Sequence, residues 1–374
     1  MDENDTAPRK RSKLRVSHVL IILLLAGVGL FVYYRLSLNS KIRVKIDAIR
    51  AAGYPVTCIE LDRWYKIPPN AENAAYTIEE ALSLYKPWDK EKSRSLPLIG
   101  SAKLPPRTEP LPAEMKILIT EYVADNNEAL ELLHQAAGIE HCRYSIDLTA
   151  GFATLAPYLS EMRNTVRLLE LEAILHAENG DSAAATLSAV SSFGIARSLV
   201  REPSTVSQLV RRGCQNTAIS TVEQILNRTE LKDEQLLELI ERVRESEHIS
   251  DISCAFVGER CVGISFFMDP GGLDPGLGGN SIPFQPIIGL YKAIGMADAD
   301  MVIYLDIMDG YMKSTKLPLH ERQEAVDAVC AKLQSTSKAH VLLHVITPAL
   351  SRVTTIELRT IAHLRTADAA LAVQ

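Results

Sequence analysis

The chain has 374 residues, with 40 basic and 46 acidic side chains and a formal net charge of −6 at pH 7. The residues after position 35 number 339 and hold 34 basic and 43 acidic groups, a net charge of −9. A domain with this mildly acidic balance does not attract nucleic acid, so we expect no nucleic-acid partner. A chain of this length can bury a sizeable core.

One long apolar segment lies near the N-terminus, at residues 16–34, and only Ser17 and His18 in it are clearly polar. As a helix it spans roughly 28 Å, enough to cross the hydrocarbon core of a bilayer. Residues 1–15 form a basic tail, and no Ala-x-Ala-like cleavage site follows the apolar segment. The pattern predicts an uncleaved transmembrane anchor that contacts the lipid bilayer through residues 16–34.

The charges on both flanks of the anchor predict its orientation. Five basic residues precede it, and a comparable group follows between positions 35 and 50. The first run is compact and lies directly against the membrane. We therefore predict a cytoplasmic tail, a single-pass anchor in the cytoplasmic (inner) membrane and a main domain that is periplasmic or extracytoplasmic.

The segments that follow the anchor predict a helical domain with one linker near its start. Residues 35–52 have the pattern of a basic amphipathic juxtamembrane helix, which Gly53 and Pro55 end. The α-helical domain then occupies residues 53–374. Within it, residues 86–112 hold six prolines and show no helical or strand period, which predicts a surface linker.

A long helical section follows the linker. Apolar residues recur three and four positions apart in five segments: 112–137, 155–179, 181–201, 205–227 and 233–247. Between the second and third, Gly180 is suited to the left-handed conformation that closes a helix, and Asp181 is suited to capping the next one. The fold class predicted is mainly α, with an irregular helical-hairpin, α-solenoid-like domain after the transmembrane helix.

A loop and a regular apolar stripe come next. Residues 268–286 contain five glycines and four prolines, which predicts a Gly/Pro-rich loop. The stripe beyond it alternates steps of three and four residues, through Ile287, Leu290, Ile294, Ala297, Met301, Tyr304, Met308 and Tyr311. This pattern is typical of a core helix and also of a helix that binds a partner or pairs with itself. Gly289 and Gly295 weaken it as a free-standing coil.

Two histidines near the C-terminus have a spacing found in metal sites. His340 and His344 lie four residues apart, so a helix would place both on one face. The apolar segment 340–347 fits a strand as well, in which case the two rings are packing residues. Glu357 is the candidate third ligand. No resident cofactor is otherwise predicted.

Several charged residues and cysteines have simpler interpretations. Glu259 and Arg260 are expected to form a buried ion pair between helices. Four aspartates, at positions 298, 300, 306 and 309, match no calcium loop and predict a solvated helix face. The six cysteines include no CxxC pair, so they predict small buried hydrophobes, with a local Cys254–Cys261 disulfide as the alternative.

Short motifs along the domain resemble a group of uncharacterised membrane-anchored α-helical proteins of planctomycetes and related bacteria. The motifs are Gly53-Tyr54-Pro55, Glu60-Leu61, residues 68–75 (Pro-Pro-Asn-Ala-Glu-Asn-Ala-Ala), Gly180-Asp181, Gly258-Glu259-Arg260, residues 348–350 and residues 369–372. The resemblance implies an architecture, a helical domain held at the cytoplasmic membrane. It implies no activity.

Two functions are compatible with these features. The first is a membrane-tethered helical scaffold that binds another envelope protein through grooves between its hairpins or through the apolar stripe. The alternative is an envelope enzyme, metal-dependent, that uses His340 and His344. A scaffold that pairs only with itself is a third form of the first hypothesis.

Overall fold

The computed structural model describes residues 11–106, 109–154, 156–248, 252–268, 284–347 and 350–374, and among these it does not describe the side chains of 11–15 and 284–287. Most of the predicted tail (1–10) and of the predicted Gly/Pro-rich loop (269–283) therefore lies outside the described residues. The described part is mainly helical, as predicted, and contains no strand beyond an isolated bridge between Pro97 and Ala102.

The first helix, α1 (Arg11–Ala51), joins the predicted anchor and the predicted juxtamembrane helix without a break. Its membrane-length stretch, Val16–Ala51, has a mean hydropathy of 2.4 in its most apolar window, and none of that window is buried in the domain. Further along the helix, Leu38 and Ile46 are buried. The same helix thus exposes apolar side chains in its first half and packs on the domain in its second half.

Four helices and one short turn of helix build the region after α1. They are α2 (Cys58–Trp64), α3 (Ala74–Leu84), α4 (Lys90–Ser93), α5 (Ala113–Asp125) and α6 (Asn127–Ala137). In its described residues the predicted linker 86–112 contains one helix, α4, and it buries Leu96 and Leu111 in the core. It is therefore packed against the domain along part of its length.

The centre of the domain is an up-and-down series of helices. It begins after a 3₁₀ turn at Leu148–Ala153 and consists of α7 (Tyr158–Glu178), α8 (Ser182–Ser198), α9 (Thr205–Leu226) and α10 (Asp233–His248). The predicted turn between α7 and α8 is present: Gly180 has φ 77° and the Asp181 side chain accepts a hydrogen bond from the Ala184 N–H. Local chemistry therefore sets this hairpin.

The remaining helices pack around this centre. They are α11 (Ser253–Met268), α12 (Phe284–Ala293), α13 (Met296–Ser314), α14 (Leu319–Gln334), α15 (Val341–Ile346) and α16 (Leu350–Leu371). The last helix, α16, returns to contact α9, α10 and α14. These contacts join helices that are distant in sequence, whereas in a strict solenoid each repeat touches its neighbours alone.

Buried ion pairs fasten the late helices to the central ones. Arg212 on α9 and Glu357 on α16 lie 3.2 Å apart and are 1% and 0% exposed. Arg322 on α14 approaches the same carboxylate at 3.7 Å. Loss of one member would leave the other as an uncompensated buried charge, so these contacts fix which helices meet.

All six cysteines are free thiols, and four of them are buried. Cys254 and Cys261 are not bridged; the Cys261 Sγ instead lies 3.3 Å from the Pro55 carbonyl oxygen. Burial raises the pKa of the Cys261 thiol to about 12. A thiol of this kind stays protonated and behaves as a small hydrophobe.

A pair of glycine substitutions tests how closely the helices pack. At Gly258 on α11 an added Cβ would lie 1.8 Å from the Pro203 carbonyl oxygen, whereas at Gly213 on α9 nothing lies within 4 Å. We expect Gly258→Ala to destabilise the protein by about 1–3 kcal/mol through overpacking. Gly213→Ala should stabilise it by about 0.5–1 kcal/mol. Thermal unfolding of the full-length protein in nanodiscs measures both, and equal shifts would contradict this packing.

Glu170 on α7 gives a pH-dependent prediction. Burial raises its pKa to about 7, against smaller lowering effects of Ser220 and Arg167. At a pH between the pKa of Glu170 in the unfolded chain and its pKa in the folded protein, the folded state binds more protons than the unfolded state does. The free energy of unfolding therefore falls as the pH rises through this range. We expect Glu170→Gln to stabilise the protein at pH 8 by up to about 3 kcal/mol and to have little effect near pH 5. Glu161→Gln, at an exposed site on the same helix, is the control; a pH-independent Glu170→Gln effect would contradict the prediction.

Candidate functional site: the corner where the anchor meets the domain

Two ion pairs join α1 to α13 at the end of the apolar segment. Arg35, the first residue after it, lies 2.8 Å from Asp298, and Lys45 lies 2.5 Å from Asp306. The pairs occur in the same order along both helices, so α1 and α13 run parallel. The start of α13 therefore lies at the level where the apolar segment ends. Two of the four aspartates that were expected to form a solvated face, Asp298 and Asp306, are instead partners of α1.

The turn between α12 and α13 contacts the anchor directly. Gly295 has φ 85°, and a Cβ at this position would meet the Arg35 Nη1 at 2.8 Å and the Tyr34 ring at 3.3 Å. The Arg35 guanidinium also donates a hydrogen bond to the Lys292 carbonyl oxygen at 3.0 Å. Gly295 is thus required both for the left-handed backbone and for the close approach of α1.

A buried carboxylate, Asp300, joins α12, α13 and α15. It is 0% exposed and accepts hydrogen bonds from the Tyr291 hydroxyl at 2.8 Å and the Leu343 N–H at 3.0 Å. Its Oδ1 lies 2.5 Å from the Nδ1 of His340. Groups from α12, from α15 and from the residue that precedes α15 therefore converge on one buried carboxyl group.

An exposed apolar patch lies on the two helices that Asp300 holds together. The exposed fractions of Leu290 on α12 and of Ile294, the first residue after α12, are 64% and 47%, and those of Val341 and Val345 on α15 are 49% and 65%. Both helices meet at Tyr291, whose hydroxyl accepts a hydrogen bond from the Val341 N–H at 3.1 Å. We call these four residues the corner patch. It adjoins the turn that contacts the anchor.

The structure separates the residues of the predicted stripe. Met301, Tyr304, Met308 and Tyr311 on α13 are at most 4% exposed and belong to the core. They have no surface to offer a partner. Leu290 on α12 and Ile294 in the turn after it are exposed, and the Ile287 side chain lies outside the described side chains. The left-handed turn at Gly295 rotates the two halves of the stripe apart, which the sequence period did not indicate.

The two histidines considered as metal ligands have different surroundings. His340 is engaged by Asp300 at the start of α15, while His344 is exposed on the same short helix. Segment 340–347 is thus helical and not a strand. The candidate third ligand, Glu357, instead pairs with Arg212. Over the described residues no three His, Cys, Asp or Glu side chains converge on one point.

A second polar cluster, which the sequence did not indicate, lies between α6, α7 and α8. The His134 ring contacts Ser191 Oγ through Nδ1 at 2.7 Å and Glu172 Oε2 through Nε2 at 3.1 Å. A serine, a histidine and a carboxylate in series suggest nucleophilic catalysis. Ser191, however, is 0% exposed in the middle of a helix. The cluster ties three helices together.

No protein-family model matches this sequence, and no curated protein and no solved structure matches it either. The resemblance to membrane-anchored helical proteins of planctomycetes therefore stays a prediction.

We predict that Asp300 is essential to the order of this corner. Asp300→Ala removes an acceptor that Tyr291, His340 and Leu343 share, and should lower the free energy of unfolding by about 2–3 kcal/mol. Hydrogen exchange should accelerate in α12 and α15 before other helices. Asp327→Ala, at an exposed site on α14, is the control and should change stability by less than about 0.5 kcal/mol. Unchanged exchange in α15 would contradict the role of Asp300.

Proposed function

We propose that this chain is a single-pass membrane-anchored helical scaffold that binds another envelope protein at the corner patch. In this proposal the anchor lies in the cytoplasmic membrane, the N-terminus is inside and the domain is extracytoplasmic. The hairpins from α7 to α10 form the solenoid-like part of the domain. The observation that carries the proposal is the unbroken α1, which runs from an exposed apolar half into a packed half.

The continuity of α1 supports a fixed orientation of the domain. A flexible tether would let the domain turn freely, but here the residue that follows the apolar segment is Arg35, which is already bonded to Asp298 and Lys292. The second ion pair, Lys45 with Asp306, adds a fixed point ten residues later. An orientation set by two points on a rigid helix keeps the same face of the domain toward the bilayer.

The corner patch supports a partner that is itself a membrane protein. Its residue Ile294 directly precedes Gly295, which approaches Tyr34 and Arg35 at the end of the apolar segment, and a partner's membrane-proximal helix would run there. Burying an aliphatic side chain of this size contributes about 1.5–3 kcal/mol, so a few such residues give a specific contact. Asp300 holds α12 and α15 in one arrangement before binding, which reduces the entropy lost on association.

A second stretch of the chain has the length and composition of a membrane-spanning helix, but the proposal assigns the role of anchor to α1. The stretch Val341–Leu371 is also long and apolar enough to span a bilayer by composition, and 44% of its window is buried in the domain. In this proposal α15 and α16 belong to the domain, because Val353, Ile361 and Leu364 on α16 pack inside it.

Photo-crosslinking in native membranes tests the proposal. A photo-reactive amino acid is placed at Leu290 or Ile294 of the full-length protein, and at the equally exposed Leu237 on α10 as the control. We expect one defined protein adduct from the first two positions and not from the third. Adducts with lipid alone would show that the patch rests on the bilayer and would remove it as a protein-docking surface.

The matching substitutions measure the contribution of the patch. Leu290→Glu with Ile294→Glu should reduce recovery of the crosslinked partner at least tenfold, because two charges would enter an apolar contact. The melting temperature should stay close to that of the wild type, since both side chains are exposed. Leu237→Glu is the control, and an equal loss of partner with it would contradict a role for this patch.

A further inference from the structure

A groove lies between α1, α11 and α13, on the domain half of α1 and away from the corner patch. Its volume is about 340 Å³, within the range of small-molecule pockets. Its walls are mainly aliphatic, with Ala48 and Ile49 on α1 facing Leu305 and Met312 on α13. One side chain of α11, Arg260, also lines it.

Arg260 is 4% exposed and carries polar atoms that the protein does not satisfy. Neither its Nε nor its Nη2 has a hydrogen-bond partner. Glu259, its expected partner, instead accepts hydrogen bonds from the N–H and hydroxyl of Thr205. Buried guanidinium groups are ordinarily paired, so these donors indicate a missing acceptor. Burial lowers the pKa of Arg260, and a bound anion would offset this effect.

The open donors define the shape of the acceptor. Nε and Nη2 lie on the same edge of the guanidinium plane. Their N–H groups can donate two parallel hydrogen bonds to the two oxygens of one carboxylate. The Arg260 guanidinium lies 5.4 Å from the centre of the Tyr54 ring, which fixes its position from one face.

The charges around the groove define the charge of the ligand. Lys45 is paired with Asp306, and Lys313 is paired with Asp309 at 2.7 Å. Within each pair the positive and negative charges cancel. Lys316 is exposed at the rim of the groove. One cationic centre, Arg260, remains in the interior of the groove. A monoanion matches it better than a dianion does.

We propose that this groove binds an aliphatic carboxylate, with its carboxylate on the Nε and Nη2 edge of Arg260 and its hydrocarbon chain between α1 and α13. The site is separate from the proposed protein-docking patch and does not depend on it. It joins the anchor helix to α13, so an occupied groove would strengthen the contact between the two.

Titration calorimetry of the full-length protein in nanodiscs tests this, with octanoate as the probe and empty nanodiscs as the blank. Acetate, which lacks the chain, and 1-octanol, which lacks the charge, are the comparators. We expect saturable binding of octanoate at least tenfold tighter than that of either comparator. Equal heats for octanoate and 1-octanol would overturn the proposal, because the carboxylate would then contribute nothing.

Three variants locate the site. Arg260→Met should weaken octanoate binding at least tenfold while the ligand-free protein melts at the same or a higher temperature, since an apolar side chain replaces an unpaired charge. Ala48→Phe, at an exposed position, should block the groove and leave Arg260 in place. Arg359→Gln, an exposed arginine on α16, should bind octanoate as the wild type does.

Two results would overturn this location. One is octanoate binding that survives both Arg260→Met and Ala48→Phe. The other is a melting temperature of Arg260→Met far below that of Arg359→Gln, which would show that the guanidinium serves the fold. If Arg260→Met does not fold, that result overturns the proposal as well, and Ala48→Phe still reports on the groove.

Discussion

The structure depends on the packing of the second half of α1 against the domain. The first half of this helix is apolar and its most apolar window is not buried in the domain; a continuous helix pairs the backbone N–H and C=O groups of such a segment internally. Past Tyr34 the same helix would be exposed to water on all sides, and a helix of this length is marginal alone. Packing through Leu38 and Ile46 and the ion pairs of Arg35 and Lys45 stabilise it there. The positions of α13, the corner patch and the groove all follow from that contact.

Polar groups in the interior specify how the other helices meet. Three polar contacts join helices whose relative positions the apolar pattern alone would not fix. They are formed by Asp300, by the Arg212–Glu357 pair and by the His134 cluster. A buried charge that loses its partner costs several kcal/mol, so each contact excludes alternative packings. Arg260 differs from them, since it forms no ion pair within the described part of the chain and its Nε and Nη2 find no acceptor. That contrast is the reason to assign it to a ligand and not to the fold.

The sequence predicted what short-range chemistry controls. The apolar run at residues 16–34 and the Gly180-Asp181 turn were readable, because a few neighbouring residues decide each of them. The core reading of the stripe holds for its residues on α13, but its period continues through Gly295 while the backbone turns there, so the sequence did not indicate that the stripe is divided. The ion-pair partners of Asp298 and Asp306 could not be predicted from the sequence, since they lie more than 250 residues earlier in the chain. A match between basic residues on the anchor helix and acidic residues on α13 was the one available signal.

The buried pair of Arg212 and Glu357 also orders events during synthesis. The two residues are 145 positions apart, so at ordinary elongation rates roughly 7 to 30 s separate their appearance. During that interval the face of α9 that α16 will cover still lacks its partner. The packing of α9 is therefore completed only once α16 has been synthesised. A ribosome that stalls between the two helices leaves an intermediate with an unpaired charge in a half-open core, which is a natural substrate for chaperones and proteases.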